Sequence, residues 1–189
     1  MAEEIKAMDI LNYVFTPDVM KPLLESREVE AMLGFFKGGK VPGIWGGGME
    51  PEEFIAKMDE AGIEKAFICA FKMWSHWDKK LIYDASIEQA YDLVKKYPDR
   101  LVGLASYNPF RISESLRAID KAVKEYGFKG VFAHPMTFDV APNDRRMYPC
   151  YAKCVELGIP FSMQIGHSME LLPSEPGRPV YLDDIALAF

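Results

Sequence analysis

The sequence is poor in histidine and cysteine, with only three of each among its 189 residues. No His-x-His, His-Glu-x-x-His or Cys-x-x-Cys pattern occurs, so the chain carries no local metal-binding signature. Three cysteines cannot all pair with one another, which favours a reduced, cytoplasmic protein over a disulfide-stabilised one. No apolar run reaches the roughly 20 residues that span a bilayer, so we expect no contact with a membrane.

An excess of basic residues is also absent. Lys and Arg total 22 against 28 Asp and Glu, a formal net charge of −6, which argues against a nucleic-acid partner. The hydrophobic fraction of 49% is that of an ordinary globular protein, and the length predicts one domain over residues 1–189. One segment, residues 34–48, is rich in glycine. Its sequence is similar to that of a phosphate-binding loop, but Val41 stands where that loop has a Ser or Thr to hold magnesium. We therefore interpret the segment as a loop or lid.

Short apolar runs alternate with amphipathic helical patterns along the chain. The predicted strands cover residues 8–15, 65–71, 101–105, 130–133 and 159–165. The predicted helices cover residues 51–61, 86–97, 112–126 and 147–157, with a further one beginning near residue 180. This βα alternation is typical of parallel strands joined by crossover helices. Two α/β architectures fit: the first five βα units of a (β/α)8 barrel, or an open, doubly wound parallel sheet.

Candidate functional residues follow the predicted strands, because α/β folds place their chemistry at the carboxyl ends of strands. His134 directly follows the fourth strand, and we predict an acid–base or substrate-orienting role for it, with a structural histidine as the alternative. His167 lies just past the fifth strand. Trp74, His76 and Trp77 follow the second strand and either line a substrate pocket or pack over the barrel rim.

An ordered set of segments, from about residue 8 to the end, resembles a known family. The segments are Asp9-Ile10-Leu11-Asn12-Tyr13, Gly127-Phe128-Lys129-Gly130-Val131-Phe132-Ala133-His134-Pro135, residues 144–149, 156–160 and 177–179, and residues 181–189. They resemble amidohydrolase-related proteins, in the branch of aminocarboxymuconate-semialdehyde decarboxylase and resorcylate-type decarboxylases. The resemblance implies a (β/α)8 barrel and a hydrolase or decarboxylase acting on a small carboxylated or acyl substrate.

The resemblance also implies a divalent metal at the barrel mouth, held in part by histidines of the first and fifth strands. Those positions here are Leu11, Tyr13 and Gln164. Leucine cannot ligate a metal, and tyrosine and glutamine are poor substitutes for imidazole. We therefore predict no metal and no other cofactor, with Tyr13 and Gln164 as substrate-binding residues beside the histidines. The alternative is a metal-free, non-catalytic binding or scaffolding subunit with the same fold.

The length sets a further expectation. A (β/α)8 barrel typically needs ~250 residues, so 189 residues correspond to about five of eight units. We expect the domain to be incomplete at its C-terminal end and its last strand to have an unpaired, apolar edge. Such an edge predicts a homo-oligomer or contact with another chain.

Overall fold

A sheet of five parallel strands organises the fold. The computed structural model describes residues 7–34, 43–168 and 170–189. The strands lie in the spatial order β1 (Ala7–Tyr13), β2 (Ile63–Cys69), β5 (Leu101–Ser106), β6 (Gly130–Ala133) and β7 (Phe161–Met163). An antiparallel pair, β3 (Lys72–Trp74) and β4 (Leu81–Asp84), forms a separate hairpin between β2 and β5.

The order of the strands distinguishes the two predicted architectures. Each strand of the parallel sheet pairs with the next one along the chain, and the order never reverses. A doubly wound sheet reverses its strand order at a switch point, whereas a (β/α)8 barrel keeps one direction throughout. The prediction of five barrel-type βα units is therefore confirmed, and the open doubly wound alternative is wrong.

Seven α-helices accompany the strands within the described ranges. They are α1 (Pro17–Leu24), α2 (Arg27–Gly34), α3 (Pro51–Glu60), α4 (Ile87–Lys96), α5 (Ile112–Lys124), α6 (Tyr148–Leu157) and α7 (Asp183–Ala188). Helices α3 to α6 match the predicted ranges closely. None of the helices in the described ranges combines the length and hydropathy that crossing a membrane requires.

Three features differ from the sequence-based expectations. Helices α1 and α2 were not predicted, because each is only eight residues long and α1 contains Pro22 in its last turn. Trp74 lies in strand β3 rather than in a loop. Of the Gly-rich segment, residues 35–42 lie outside the described residues, while Gly43–Gly46 forms a short 3-10 helix.

Helix α4 shows how local sequence sets an element boundary. The backbone N–H of Gln89 donates to Ser86 Oγ over 3.1 Å, and the N–H of Ser86 donates to Gln89 Oε1 over 2.9 Å. This reciprocal capping box satisfies two backbone donors that a helix start otherwise leaves unpaired. Ile87, Ala90 and Leu93 then form its buried face.

A glycine in β5 allows the sheet and a neighbouring aromatic ring to approach closely. A Cβ built on Gly103 would overlap the ring of Phe128, whose side chain is almost completely buried. Phe128 lies just before β6, and its backbone N–H donates to the Ala122 carbonyl at the end of α5 over 2.9 Å. The ring cannot retreat without moving the link between α5 and β6.

We predict that Gly103→Ala destabilises the protein by about 1–3 kcal/mol, since overpacking a filled core forces side chains off their rotamers. The free energy of unfolding from urea denaturation measures the effect. The double variant G103A/F128L should recover part of the loss, because leucine vacates the overlapped volume. Equal stability of Gly103→Ala and the wild type would contradict the close packing.

Candidate functional site

The carboxyl ends of the parallel strands bring several side chains to one edge of the sheet. Tyr13 is the last residue of β1, Phe71 lies two residues beyond β2, and His134 directly follows β6. Parallel strands end at the same edge, so these three residues share the mouth of the partial barrel although about 120 positions separate the first from the last.

Aromatic rings connect these positions. Tyr13 stacks on Phe71 with ring centroids 5.0 Å apart, and Phe71 lies 5.6 Å from the imidazole of His134. Further rings contact Tyr13 or Phe71 from the sides. The whole group, called here the aromatic cluster, comprises Tyr13, Trp45, Phe71, Tyr83, Phe132 and His134. The cluster supplies an apolar wall beside a single imidazole.

His134 is the chemically unusual member of the cluster. Only 2% of its surface is exposed, and neither ring nitrogen has a hydrogen-bond partner in the described part of the chain. Burial lowers the pKa of His134 to about 4, although the charge of Glu170 acts in the opposite direction. Buried structural histidines normally have their nitrogens satisfied, so the unpaired donor and acceptor favour a role in binding or catalysis.

The hydroxyl groups near His134 are held in their neutral form. Burial, together with the charge of Glu170, raises the pKa of Tyr13 well above its usual range. Tyr83 is also buried, and its hydroxyl donates to the carbonyl oxygen of Val14 over 2.7 Å. Burial likewise raises the pKa of the Cys69 thiol to about 12. The mouth therefore offers neutral hydrogen-bonding groups at physiological pH.

Glu170 is a candidate site residue that the sequence did not reveal. Its carboxylate accepts a hydrogen bond from the hydroxyl of Ser168, and its negative charge acts on both Tyr13 and His134. The segment that carries it is fixed to the rest of the fold, because Leu171 N–H donates to the Glu28 carbonyl over 2.9 Å. Nothing in the local sequence marks Glu170, since it lies in an irregular segment without a motif.

Two predicted site residues lie beside the element that carries His134. The backbone N–H of Gln164 donates to the Ala133 carbonyl over 3.1 Å, which places Gln164 next to His134 at the sheet edge. The backbone N–H of Trp74 donates to Thr137 Oγ1 over 2.5 Å, and the Thr137 hydroxyl donates to the Trp74 carbonyl over 3.2 Å. Thr137 belongs to the 3-10 helix Pro135–Phe138 that follows His134.

The other predicted site residues have different surroundings. Trp77 is 59% exposed and lies beneath the guanidinium of Arg27, 6.0 Å from the ring centroid. The ring of His167 is exposed, with Nδ1 2.6 Å from the carbonyl oxygen of Ser168. His76 Nε2 is buried without a hydrogen-bond partner within the described ranges. No described contact joins these three side chains to His134, and their roles stay predictions.

Comparison with known proteins identifies the family. Residues 70–189 match the family model described as Amidohydrolase, which is more than half of the chain. The chain belongs to the amidohydrolase family. The resemblance inferred from the sequence segments is thereby confirmed. No curated protein matches this amidohydrolase-family chain.

Solved structures show the same fold in longer proteins. The 5-carboxyvanillate decarboxylase of Novosphingobium aromaticivorans, solved with manganese and a nitrobenzoic acid, is 19% identical at a TM-score of 0.64 and covers 100% of this chain. An uncharacterised TIM-barrel protein of Bordetella bronchiseptica is 20% identical at a TM-score of 0.70 over 98% of this chain. A dihydroxybenzoic acid decarboxylase of a Polaromonas species, also solved with manganese, is 17% identical at a TM-score of 0.54 over 84% of this chain. The amidohydrolase-family chain spans only 56%, 64% and 49% of these three proteins.

The residues described here do not form a donor set for a divalent metal. Leu11 has no donor atom, and the phenol of Tyr13 stays protonated because its pKa is raised. Gln164 offers only an amide oxygen, a weak ligand for a zinc-like ion. Within residues 7–34, 43–168 and 170–189, no group of three His, Cys, Asp or Glu side chains could hold a metal ion.

The low pKa of His134 predicts a dependence of stability on pH. The unfolded chain protonates this imidazole near pH 6.5, whereas the folded protein does so only near pH 4. The unfolded state therefore binds more protons between these values, and stability falls as the pH drops from 6.5 towards 4. The contribution is about 3 kcal/mol, from about 1.4 kcal/mol per pKa unit.

We expect His134→Gln to remove this part of the pH dependence. Urea denaturation gives the free energy of unfolding of the wild type and the variant at pH 7 and pH 4.5. The change between the two pH values is then compared between the two proteins. Carboxylates remote from His134 affect both proteins equally and cancel, so the difference reports His134 together with its interaction with Glu170. An identical pH slope in the two proteins would show that His134 is not held neutral by the fold.

Proposed function

We propose that the mouth around His134 is part of the active site of an amidohydrolase-family hydrolase or decarboxylase that acts on a small carboxylated substrate. The observation that carries the proposal is the buried imidazole of His134, whose two nitrogens have no protein partner among the described residues. Membership of the family supports it, and so do the decarboxylases among the proteins that share the fold.

His134 has the properties of an acid–base group that responds to its ligand. In the free protein the imidazole is neutral, with one N–H donor and one lone pair. A bound carboxylate adds a negative charge to that of Glu170 and raises the pKa of His134, so the imidazole gains a proton as the substrate binds. In a decarboxylation, the C–C bond breaks, carbon dioxide leaves, and the electron pair left on carbon takes that proton. In a hydrolysis, the imidazolium gives that proton to the leaving group, and the proton that the attacking water releases returns to the imidazole.

The aromatic cluster favours a substrate with a flat, apolar body. Phe71 and Tyr13 present stacked rings beside the imidazole, and Phe132 contacts Phe71 at 5.7 Å. Aromatic side chains bind flat ligands through offset and edge-on contacts while they exclude water. A desolvated site also strengthens the interaction between the imidazole and a carboxylate.

We predict that His134→Gln lowers turnover at least about 100-fold, the usual contribution of a positioned general acid or base. The probes are 5-carboxyvanillate and 2,6-dihydroxybenzoate, named from the related decarboxylases, and the measurement is carbon dioxide release. Lys129→Gln is the matched control, because Lys129 is exposed and precedes the opposite end of the same strand. Turnover that survives in His134→Gln would contradict the acid–base role.

A non-catalytic binding or scaffolding subunit is the second candidate function. The side chains of Leu11, Tyr13 and Gln164 favour it, because they cannot supply the imidazole ligands that the family resemblance implies. Metal analysis of the freshly purified protein tests the absence of a bound metal, which both candidate functions assume. We expect manganese and zinc well below one equivalent, and a stoichiometric metal would contradict the metal-free proposal.

We also propose that another polypeptide covers the edges of the sheet. Strand β1 pairs only with β2, and strand β7 pairs only with β6 in the described structure. Met8 and Ile10 on β1 are 56% and 69% exposed, which leaves an apolar edge open to pairing. Sedimentation analysis tests the proposal, and a monodisperse 21.4 kDa monomer would contradict it.

A reducing, cytoplasmic compartment is the setting that we propose. The free thiols of Cys69, Cys150 and Cys154 are all buried, and none is paired in a disulfide. Reduced cysteines of this kind are typical of intracellular proteins.

A further inference from the structure

A pocket distinct from the mouth at His134 lies between the first turns of α4 and α5. It has a volume of about 570 Å³ and shares no residue with the aromatic cluster. Its polar lining includes Lys72, Ser86, Ser106, Asn108, Arg111 and Ser115. Trp74, Leu81 and Ile87 contribute apolar surface to the same space, which is called here the α4–α5 pocket.

Asn108 presents a fixed hydrogen-bond donor to the α4–α5 pocket. The residue is only 7% exposed, and its Oδ1 accepts the backbone N–H of Phe110 over 2.9 Å. This contact determines the orientation of the amide, because a backbone N–H requires the oxygen and not the nitrogen. The Nδ2 group then has no hydrogen-bond partner in the parts of the chain that the structure describes.

Ser106 provides a second donor of the same kind. It is also 7% exposed, lines the same pocket at the end of β5, and its hydroxyl has no partner within the described residues. Both donors line the pocket, where a polar ligand or water can complete their hydrogen bonds.

A guanidinium group also lines the pocket. Arg111 is exposed and has no ion partner among the described residues. It is also the N-cap residue of α5, and no side chain caps this helix start. Arg111, Glu114 and Ala118 line the pocket along one face of the first two turns of α5.

The acidic side chains of the pocket limit the charge of the ligand. Asp84 is paired with Lys72, and Glu88 is paired with Lys121. Glu114, in the first turn of α5, has no ion partner within the described ranges. One uncompensated carboxylate at the pocket disfavours a dianion such as phosphate but tolerates a ligand with a single negative charge.

We propose that the α4–α5 pocket binds a small organic monocarboxylate. The carboxylate is held by Asn108 Nδ2, the Ser106 hydroxyl and Arg111. Arginine and amide donors bind carboxylates through charge-assisted hydrogen bonds. The apolar body of the ligand lies against Trp74, Leu81 and Ile87. This site is separate from the mouth at His134 and does not depend on the function proposed for it.

Sodium benzoate is the probe for this site, titrated to about 10 mM into the ¹⁵N-labelled full chain. We expect shifts in the Asn108 side-chain amide signals and in the first-turn backbone amides of α5. Arg111→Gln should weaken binding about tenfold, as expected for the loss of a charge-assisted hydrogen bond. Asn108→Asp should abolish binding, because it keeps the acceptor for Phe110 but replaces the donor with a negative charge.

Arg117→Gln is the matched control, because Arg117 is exposed on the same helix but does not line the pocket. It removes the same net charge and should leave the affinity unchanged. Equal weakening by Arg111→Gln and Arg117→Gln would overturn the proposal. So would benzoate shifts confined to residues around His134, or phosphate binding as tightly as benzoate. Unchanged shifts at Asn108 in His134→Gln would support an independent site.

Discussion

The parallel pairing of β6 with both of its neighbours is the constraint on which the rest of the structure depends. β6 is buried along its whole length, and its register with β5 and β7 joins Leu104 to Gly130 and Val131 to Phe161. Because this ladder is fixed on both sides, the residue after β6 can only emerge at the carboxyl edge of the sheet. The backbone pairing thus determines the position of His134. The ends of the neighbouring strands determine the positions of the aromatic rings around it.

Two kinds of polar environment occur at this edge of the sheet. Around His134, aromatic side chains exclude water and leave a neutral imidazole with an unused donor and an unused acceptor. In the α4–α5 pocket, the Asn108 amide and the Ser106 hydroxyl face accessible space beside the Arg111 guanidinium, which has no ion partner among the described residues. The first arrangement suits proton transfer, since desolvation makes the pKa sensitive to an incoming charge. The second suits binding without chemistry, since its donors are an amide, a hydroxyl and a guanidinium that can hold a ligand through hydrogen bonds.

The sequence predicted the parts of the fold that depend on local pattern. The capping box at Ser86 and the apolar spacing of α5 are both readable within about a dozen residues, and the structure has both elements. The hairpin of β3 and β4 was not predictable in this way, because its turn has no hairpin dipeptide and its strands are short. At the site, His134 was identified because it follows an apolar run. Glu170 was missed, because only tertiary packing brings it near the imidazole.

The hydroxyl of Thr137 links two parts of the fold. It accepts from the backbone of Trp74 and donates to the same residue, and it lies three positions after His134 on one short helical turn. Two hydrogen bonds therefore join the β3–β4 hairpin to the 3-10 helix that follows His134. The backbone that leaves His134 is thus anchored to the outer hairpin by one hydroxyl group, three residues from the imidazole.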